Sequence, residues 1–245
     1  MNIAVDIVAQ PRLGKTFYPC SGHRLQPQPL VLIHGWGADS QIWGDLPQQL
    51  SEWADVITLD LPGFGASEAL QHYSADSMLQ WMHRALPDQS LLLGLSLGGM
   101  LCHRYAATYP QRVSGLILLS SNRQFVADAG YQSAMPQADF DGFLHSWQND
   151  PNSCLKRFAS LQAQGDRQQR QLIRQLRAMQ VNMDPQAAEA LLGLLGQLNN
   201  HQQCPPLPSL SLFGGQDALV PPEAARQSTN SVVIEGAAHL PHLSA

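Results

Sequence analysis

Short apolar runs alternate with longer amphipathic stretches between residues 30 and 120. The runs predict buried strands at Leu30–Ile33, Val56–Leu59, Leu91–Leu95 and Val113–Leu119. The stretches between the runs predict helices near Ile42–Leu50, Ser74–Leu86 and Gly98–Tyr109. Apolar strands that alternate with helices favour a parallel sheet with helical crossovers, so this part of the chain predicts the α/β class.

The alternation stops after Ser120, and the residues up to His201 have helical spacing and many glutamines, without a strand pattern. A proline-rich segment, Cys204–Pro208, then interrupts helix. Strand patterns return after it, at Leu210–Phe213 and Val232–Ile234. The sequence therefore predicts a mostly parallel sheet flanked by helices, with a core at residues 1–120 and 204–245 and a helical lid inserted at residues 121–203.

Composition narrows the class of protein. Of the 245 residues, 44% are hydrophobic and 13% are charged, which is too apolar for a disordered chain. No apolar run approaches the ~18 residues of a membrane span, and the N-terminus, with Asp6 and no basic start, does not resemble a signal peptide. Four widely spaced cysteines predict neither a zinc site nor a disulfide framework. With a net charge of −5, we expect a soluble, cytoplasmic monomer that binds no membrane and no nucleic acid.

The segment Gly94–Gly98, with the sequence GLSLG, follows an apolar run and precedes an amphipathic helix. This strand–turn–helix context is the one that a nucleophile elbow requires. Glycines flank the central residue because side chains would collide in so sharp a turn, and Ser96 would stand exposed at the start of the helix. The alternative is an ordinary glycine-rich turn.

A serine hydroxyl needs a base to take its proton and a carboxylate to orient that base. Both are expected later in the chain, in the order Ser, acid, His, each just after a strand. His239 follows the last predicted strand, and Asp217 lies in a glycine-rich turn after the strand Leu210–Phe213. His242 is the weaker candidate for the base, and Asp217 could instead only form its turn.

Two N–H groups must stabilise the oxyanion of a tetrahedral intermediate. The backbone of Leu97, directly after the nucleophile, is one predicted donor. The other is the backbone of Trp36, in the loop after the strand Leu30–Ile33. His34 precedes this loop and is interpreted as structural, since a histidine at a strand end is more often structural than catalytic.

These motifs together resemble the α/β-hydrolase superfamily over about residues 30 to 243. They comprise HGWG at His34–Gly37, DLPGFGAS at Asp60–Ser67, the elbow, and the Asp217 and His239 loops. Within the superfamily the chain is most similar to the BioH family, the pimeloyl-[acyl-carrier protein] methyl ester carboxylesterases of biotin synthesis. This closer resemblance rests on four segments, LIHGWG at Leu32–Gly37, LDLPGFG at Leu59–Gly65, SLGG at Ser96–Gly99 and RFASLQ at Arg157–Gln162. The last of them, in the predicted lid, is the most specific.

The resemblance implies an enzyme that hydrolyses the methyl ester of a pimeloyl chain held on acyl carrier protein. Ser96 would attack the ester carbonyl with His239 as base, and methanol would leave, with no metal or organic cofactor. The resemblance also implies that Arg157, Arg170 and Arg174 contact the carrier protein, whereas one carrier-binding position of the family is Ser153 here.

A basic stripe supports this partner independently of the family. Helical spacing brings four arginines to one side of a helix, namely Arg167, Arg170, Arg174 and Arg177. Residues 156–177 carry six basic side chains against Asp166, a charge of +5, so the rest of the chain sums to −10. Such a patch would attract an acidic carrier protein, and the alternative is a solvated helix face.

Three phenylalanines of the predicted lid are candidates to line an acyl pocket. Phe125 and Phe158 are the stronger two and Phe143 the weaker, and each could instead be lid core. Two other functions stay open at this point. C–C hydrolases, peptidases and general esterases share the triad, and a ligand-binding protein could use the same scaffold, because only six residues follow His239.

Overall fold

The computed structural model describes residues 11–244. Residues 1–10, for which the sequence predicts no signal peptide, lie outside this range. The strands are β1 (Lys15–Tyr18), β2 (Leu30–Ile33), β3 (Val56–Leu59), β4 (Ser90–Leu95), β5 (Val113–Leu119), β6 (Ser209–Gly214) and β7 (Ser231–Ile234). The α-helices are α1 (Leu46–Leu50), α2 (Ala75–Ala85), α3 (Leu97–Thr108), α4 (Gln137–Asn149), α5 (Pro151–Gln162), α6 (Gln169–Ala178) and α7 (Pro185–Gln197). Short 3-10 helices lie at Ser40–Trp43, Pro110–Arg112, Pro222–Gln227 and Pro241–Leu243.

The strands form one sheet in the order β1-β3-β2-β4-β5-β6-β7. All neighbouring strands are parallel except β1, which runs antiparallel to β3. The parallel α/β sheet predicted from the sequence is therefore confirmed. Because the carboxyl ends of parallel strands lie at one edge, the loops that follow β2, β4, β5, β6 and β7 meet there.

Two differences from the predicted elements have local causes. Strand β1 was not predicted, because its four residues are mostly exposed and carry no buried apolar run. The single helix expected near Ile42–Leu50 is instead a 3-10 turn followed by α1. Gly44 separates the two with φ 52°, a conformation that no helix continues.

Both faces of the central strands are buried, as expected where helices cover a parallel sheet on both sides, whereas the edge strands β1 and β7 are partly exposed. Successive residues of β2 point to opposite faces. Val31 and Ile33 belong to the larger core cluster, which includes α2 and α3, and Leu30 and Leu32 belong to the smaller one. Across residues 11–244, none of the helices is long and apolar enough to cross a membrane.

Helices α4 to α7 and the segments that connect them interrupt the sheet between β5 and β6, and we call residues 137–197 the lid. The lid lies over the carboxyl edge of the sheet and is hydrogen-bonded to the loop that follows β3. The backbone N–H of Gly65 donates to the carbonyl of Asn182 at 2.7 Å, and that of Asp184 donates to Gly63 at 2.7 Å. The lid thereby covers the edge at which the candidate site residues lie.

Candidate active site

Ser96 occupies the turn between β4 and α3 in a strained conformation, with φ 51° and ψ −117°. The chain accepts this turn because the residues two positions before and two positions after Ser96 are glycines. A Cβ on Gly98 would lie 2.3 Å from the carbonyl oxygen of Ile33, and one on Gly94 would lie 2.5 Å from the Gly99 nitrogen. A non-glycine residue with positive φ held this way is typical of a functional turn.

The backbone of Ser96 is held on both sides. Its N–H donates to the carbonyl of Leu119 at 2.9 Å, and its carbonyl accepts from the Ser121 hydroxyl at 2.8 Å. Leu97 is the first residue of α3, so its N–H is among those that no helical carbonyl accepts. The elbow therefore presents a hydroxyl beside an N–H at the positive end of a helix dipole.

Asp217 and His239 are directly hydrogen-bonded, with 2.8 Å between Asp217 Oδ2 and His239 Nδ1. Both side chains are buried, the residues being 5% and 2% exposed. The other carboxylate oxygen, Oδ1, accepts from the backbone N–H groups of Leu219 and Val220 at 2.8 and 2.9 Å. Asp217 thus forms its turn and orients a histidine, so the two interpretations of this residue are compatible. The contact assigns the proton to Nδ1 and leaves Nε2 as an acceptor.

Ser96 and His239 line one small cavity, together with Gly35, Trp36 and Phe158. The loops after β4 and β7 thus bring together residues that are distant in sequence. Asp217, from the loop after β6, lies behind His239. All three residues predicted as a triad meet at this one place.

The second candidate base, His242, has a different environment. Its Nε2 donates to the carbonyl of Ile42 at 3.0 Å, and its ring packs on Trp43 with centroids 5.2 Å apart. Burial lowers the pKa of His242 to about 4, which keeps the ring neutral. Asp217 binds His239 and not His242, so the geometry favours His239 as the base.

His34 connects two loops at the sheet edge. Its Nδ1 donates to the carbonyl of Gly35 at 2.7 Å, and its Nε2 accepts from the N–H of Leu61 at 2.9 Å. The side chain is fully buried, and burial lowers its pKa. Both ring nitrogens are occupied by backbone groups, which gives His34 a structural part, as the sequence predicted.

The loop after β2 is pinned between the elbow and the lid. The indole Nε1 of Trp36 donates to the carbonyl of Ala188 at 2.7 Å. A Cβ added to the preceding residue, Gly35, would lie 3.1 Å from Cβ of Ser96. The backbone of Trp36, the predicted second oxyanion donor, therefore lies in the loop that directly adjoins the serine.

A narrow apolar pocket opens beside Ser96 and Trp36. Phe125 and Phe158, predicted to line an acyl pocket, both border it, and so does Phe143, the weaker candidate. Sequence reasoning missed the remaining lining residues, which are Met135, Leu192, Leu195 and Leu219. The leucines of α7 repeat like ordinary core positions, so only their place over the sheet edge distinguishes them.

The three predicted carrier-binding arginines lie on the outer surface of the lid. Arg157 is exposed on α5, and Arg170 and Arg174 are exposed on α6. Within residues 11–244, none of the three forms an ion pair. Helices α5 and α6 also border a groove that shares Phe158 and Gln162 with the cavity of Ser96.

The other two arginines of the stripe make contacts within the protein. The guanidinium of Arg167 donates to the carbonyl of Glu235 at 2.6 Å, and that of Arg177 donates to the hydroxyl of Ser160 at 3.1 Å. Ser153 binds the carboxylate of Asp150 at the start of α5. Arg167 and Arg177 are nevertheless exposed, so all four arginines of the stripe reach the surface, two of them also held by bonds within the protein.

Comparison with known sequences places the chain among hydrolases. The model of the α/β hydrolase fold family matches residues 28–245. The chain is 40% identical, over 88% of its length, to the biotin biosynthesis bifunctional protein BioHC of Cellvibrio japonicus. It is 34% identical to the pimeloyl-[acyl-carrier protein] methyl ester esterase of Serratia marcescens, over 88% of both chains. The chain spans 44% of the length of the bifunctional relative.

Solved structures agree on the fold. An esterase from Exiguobacterium antarcticum superposes with a TM-score of 0.77 at 21% sequence identity, over 95% of this chain and 90% of the other. At this identity the likeness shows the fold and not the activity.

Proposed function

The chain belongs to the α/β-hydrolase family and, within it, to the BioH family, and we propose that it is a serine carboxylesterase that hydrolyses the methyl ester of pimeloyl-[acyl-carrier protein]. The products are pimeloyl-[acyl-carrier protein] and methanol. The observation that carries the proposal is the 2.8 Å hydrogen bond from His239 to Asp217, beside a serine on a strained elbow. The activity named for relatives such as the Serratia marcescens esterase supplies the substrate.

In the proposed reaction, the Ser96 hydroxyl attacks the carbonyl carbon of the methyl ester and passes its proton to Nε2 of His239. Asp217 holds Nδ1 and stabilises the imidazolium that forms. The tetrahedral intermediate then expels methanol, which takes the proton from His239. A water molecule, deprotonated by the same nitrogen, then attacks the acyl-enzyme carbonyl. The bond to Ser96 Oγ breaks, the proton returns from His239 to that oxygen, and the acid is released.

The oxyanion of each tetrahedral intermediate would be stabilised by the backbone N–H groups of Leu97 and Trp36. Leu97 contributes a helix N-terminus, and the loop of Trp36 is fixed by the indole bond to the lid. Donors that are fixed in advance need no reorganisation when negative charge develops. Trp36 therefore has two proposed roles. Its backbone N–H stabilises the oxyanion, and its indole binds the lid and fixes the loop.

The substrate has an apolar chain of methylene groups and a large acidic carrier, and two features of the site suit them. Phe125 and Phe158 line an apolar pocket next to Ser96, where methylene groups are removed from water. The exposed arginines Arg157, Arg170 and Arg174 would attract the carrier to the lid.

The proposed substrate is tested by comparing hydrolysis of the carrier-bound methyl ester with that of a short p-nitrophenyl ester, at low and high salt. A long-range charge attraction raises kcat/KM only for the acidic substrate, and only at low salt. We expect kcat/KM for the carrier-bound ester to fall as salt rises, while the small ester is nearly unaffected. A preference for the small ester under both conditions would indicate a general esterase instead.

Reversing the charge of two lid arginines makes the test residue-specific. The double variant Arg170→Glu/Arg174→Glu is expected to lower kcat/KM for the carrier-bound ester by roughly 10- to 100-fold at low salt, within the range of electrostatic steering. The loss should shrink as the Debye length falls from ~10 Å at 0.1 M to ~3 Å at 1 M. Hydrolysis of the small ester should stay nearly unchanged, because neither arginine lines the cavity of Ser96.

A charge-matched control is Arg84→Glu/Arg226→Glu, which changes exposed arginines outside the lid. This control should leave both substrates nearly unaffected. An equal loss for both substrates in the lid variant would mean damaged lid packing. No loss for either would identify the arginines as an ordinary solvated helix face.

A further inference from the structure

The connection between α5 and α6 is hydrogen-bonded to the loop that carries His239. We call residues 162–168 the lid junction. The backbone N–H of His239 donates to the carbonyl of Gln162 at 3.1 Å. The backbone N–H of Arg167 donates to Gly236 at 2.9 Å, and its guanidinium donates to the carbonyl of Glu235. The lid and the candidate base are thus joined by backbone contacts on both sides of the loop.

Asp166 lies at the centre of the lid junction and is only 6% exposed. Its Oδ2 accepts from the backbone N–H of Ala238 at 2.9 Å and from the Ser244 hydroxyl. Its Oδ1 accepts from the backbone N–H of Gln168 at 2.7 Å. Among the ion pairs of residues 11–244, Asp166 takes no part.

Burying a carboxylate is unfavourable unless hydrogen bonds replace its hydration. Three donors do so for Asp166, and one of them is the backbone N–H of Ala238, the residue before His239. If Asp166 served only to close the turn of the lid junction, its bond to the N–H of Gln168 would be sufficient. The bond to the N–H of Ala238 spans 72 residues of sequence and fixes the loop that carries His239.

We propose that Asp166 is a positioning residue for His239, a role that rests on the proposed function. Asp217 fixes the ring of His239 at Nδ1, Gln162 binds its backbone N–H, and Asp166 binds the backbone N–H of the preceding residue, Ala238. Together the three contacts fix the position of Nε2 relative to Ser96. A carboxylate on the lid therefore sets the geometry of the base. Arg170, which the proposed function assigns to carrier binding, lies four residues after Asp166 in the sequence.

The test uses Asp166→Asn in the full chain. An amide has one accepting oxygen, so either the Gln168 N–H or the Ala238 and Ser244 donors lose their acceptor. We expect kcat for p-nitrophenyl acetate to fall by about 10- to 100-fold, the size of effect that a displacement of ~1 Å produces. KM should stay nearly unchanged. In Asp166→Asn, kcat for the carrier-bound ester should fall by the same factor as kcat for the small ester. The arginine variants, by contrast, should affect only the carrier-bound ester.

A spectroscopic readout reports the positioning directly. The proton shared by His239 Nδ1 and Asp217 gives a far-downfield proton resonance in nuclear magnetic resonance spectra when it is shielded from exchange. Asp166→Asn should shift or broaden this signal. The matched control is Asp184→Asn, a lid carboxylate that accepts from the N–H of Ala187 at 2.8 Å at the start of α7. The control should keep both the signal and kcat.

Unchanged kcat and an unchanged resonance in folded Asp166→Asn would overturn the proposal, as would equal losses in Asp184→Asn. If Asp166→Asn does not fold, Ser244→Ala removes one donor from the same oxygen. It should then give a smaller loss of kcat with a shift of the same resonance, and no change in either would overturn the proposal. A wild-type protein without turnover would contradict the proposed function, while the resonance would still report on Asp166.

Discussion

Replacing Ser96 with alanine removes esterase activity and leaves the fold intact. We expect kcat to fall by about 10⁴-fold or more, the usual consequence of losing a triad nucleophile. No other group in the cavity shared with His239 offers a hydroxyl to the ester, since its remaining lining is glycine, glutamine and apolar side chains. Alanine also removes only one small atom, and it leaves the backbone bonds of the elbow to Leu119 and Ser121 in place.

The measurement combines turnover of a p-nitrophenyl ester with labelling by a fluorophosphonate and detection of the mass increase. The wild type should be labelled once and the Ser96→Ala protein not at all. Ser90→Ala, at the opposite end of β4, is the matched control and should keep both labelling and turnover. Near-normal turnover by a folded Ser96→Ala protein would contradict the assignment. A wild type that resists labelling would favour the ligand-binding alternative.

Strands β2 to β7 were predictable because each contains a short apolar run, and both faces of the central strands are buried. The alternation in β2 between two core clusters is the physical reason that its four residues are all apolar. Strand β1 lacks this signal, since it pairs only through its backbone with β3 at the sheet edge. Pairing of that kind depends on tertiary structure and leaves little trace in residue type.

The candidate triad was predictable because its chemistry restricts residue types next to strand ends. The glycines of the elbow are required by close contacts such as that of Gly98 with Ile33. Asp166 had no such signal, because a lone acid among arginines suggests a solvated ion pair. Its role depends on the lid junction meeting a loop 72 residues away, and sequence spacing does not encode that meeting. The hydrogen bonds that hold Arg167 and Arg177 within the protein were hidden for the same reason.

Removing the acid or the base should be nearly as damaging as removing the nucleophile. For His239→Ala we expect kcat to fall by about 10⁴-fold or more, because no other base accepts the serine proton. KM for a small ester should change little, since neither residue lines the apolar pocket. His242→Ala is the control. It should keep its turnover per folded molecule, although loss of the Ile42 contact lowers its melting temperature.

Asp217→Asn is the more informative variant, because the structure determines which way the new amide faces. Two backbone N–H groups, of Leu219 and Val220, point at Oδ1 and require an acceptor there. The amide oxygen therefore takes that position, and the NH₂ group faces Nδ1 of His239. A donor at this place forces Nδ1 to accept, which moves the ring proton to Nε2, where it blocks proton transfer from Ser96. We expect kcat to fall by about 10⁴-fold at neutral pH with an unchanged melting temperature. If Asp217→Asn kept its activity, or if His242→Ala were the damaging change and His239→Ala harmless, the choice of acid and base would be wrong.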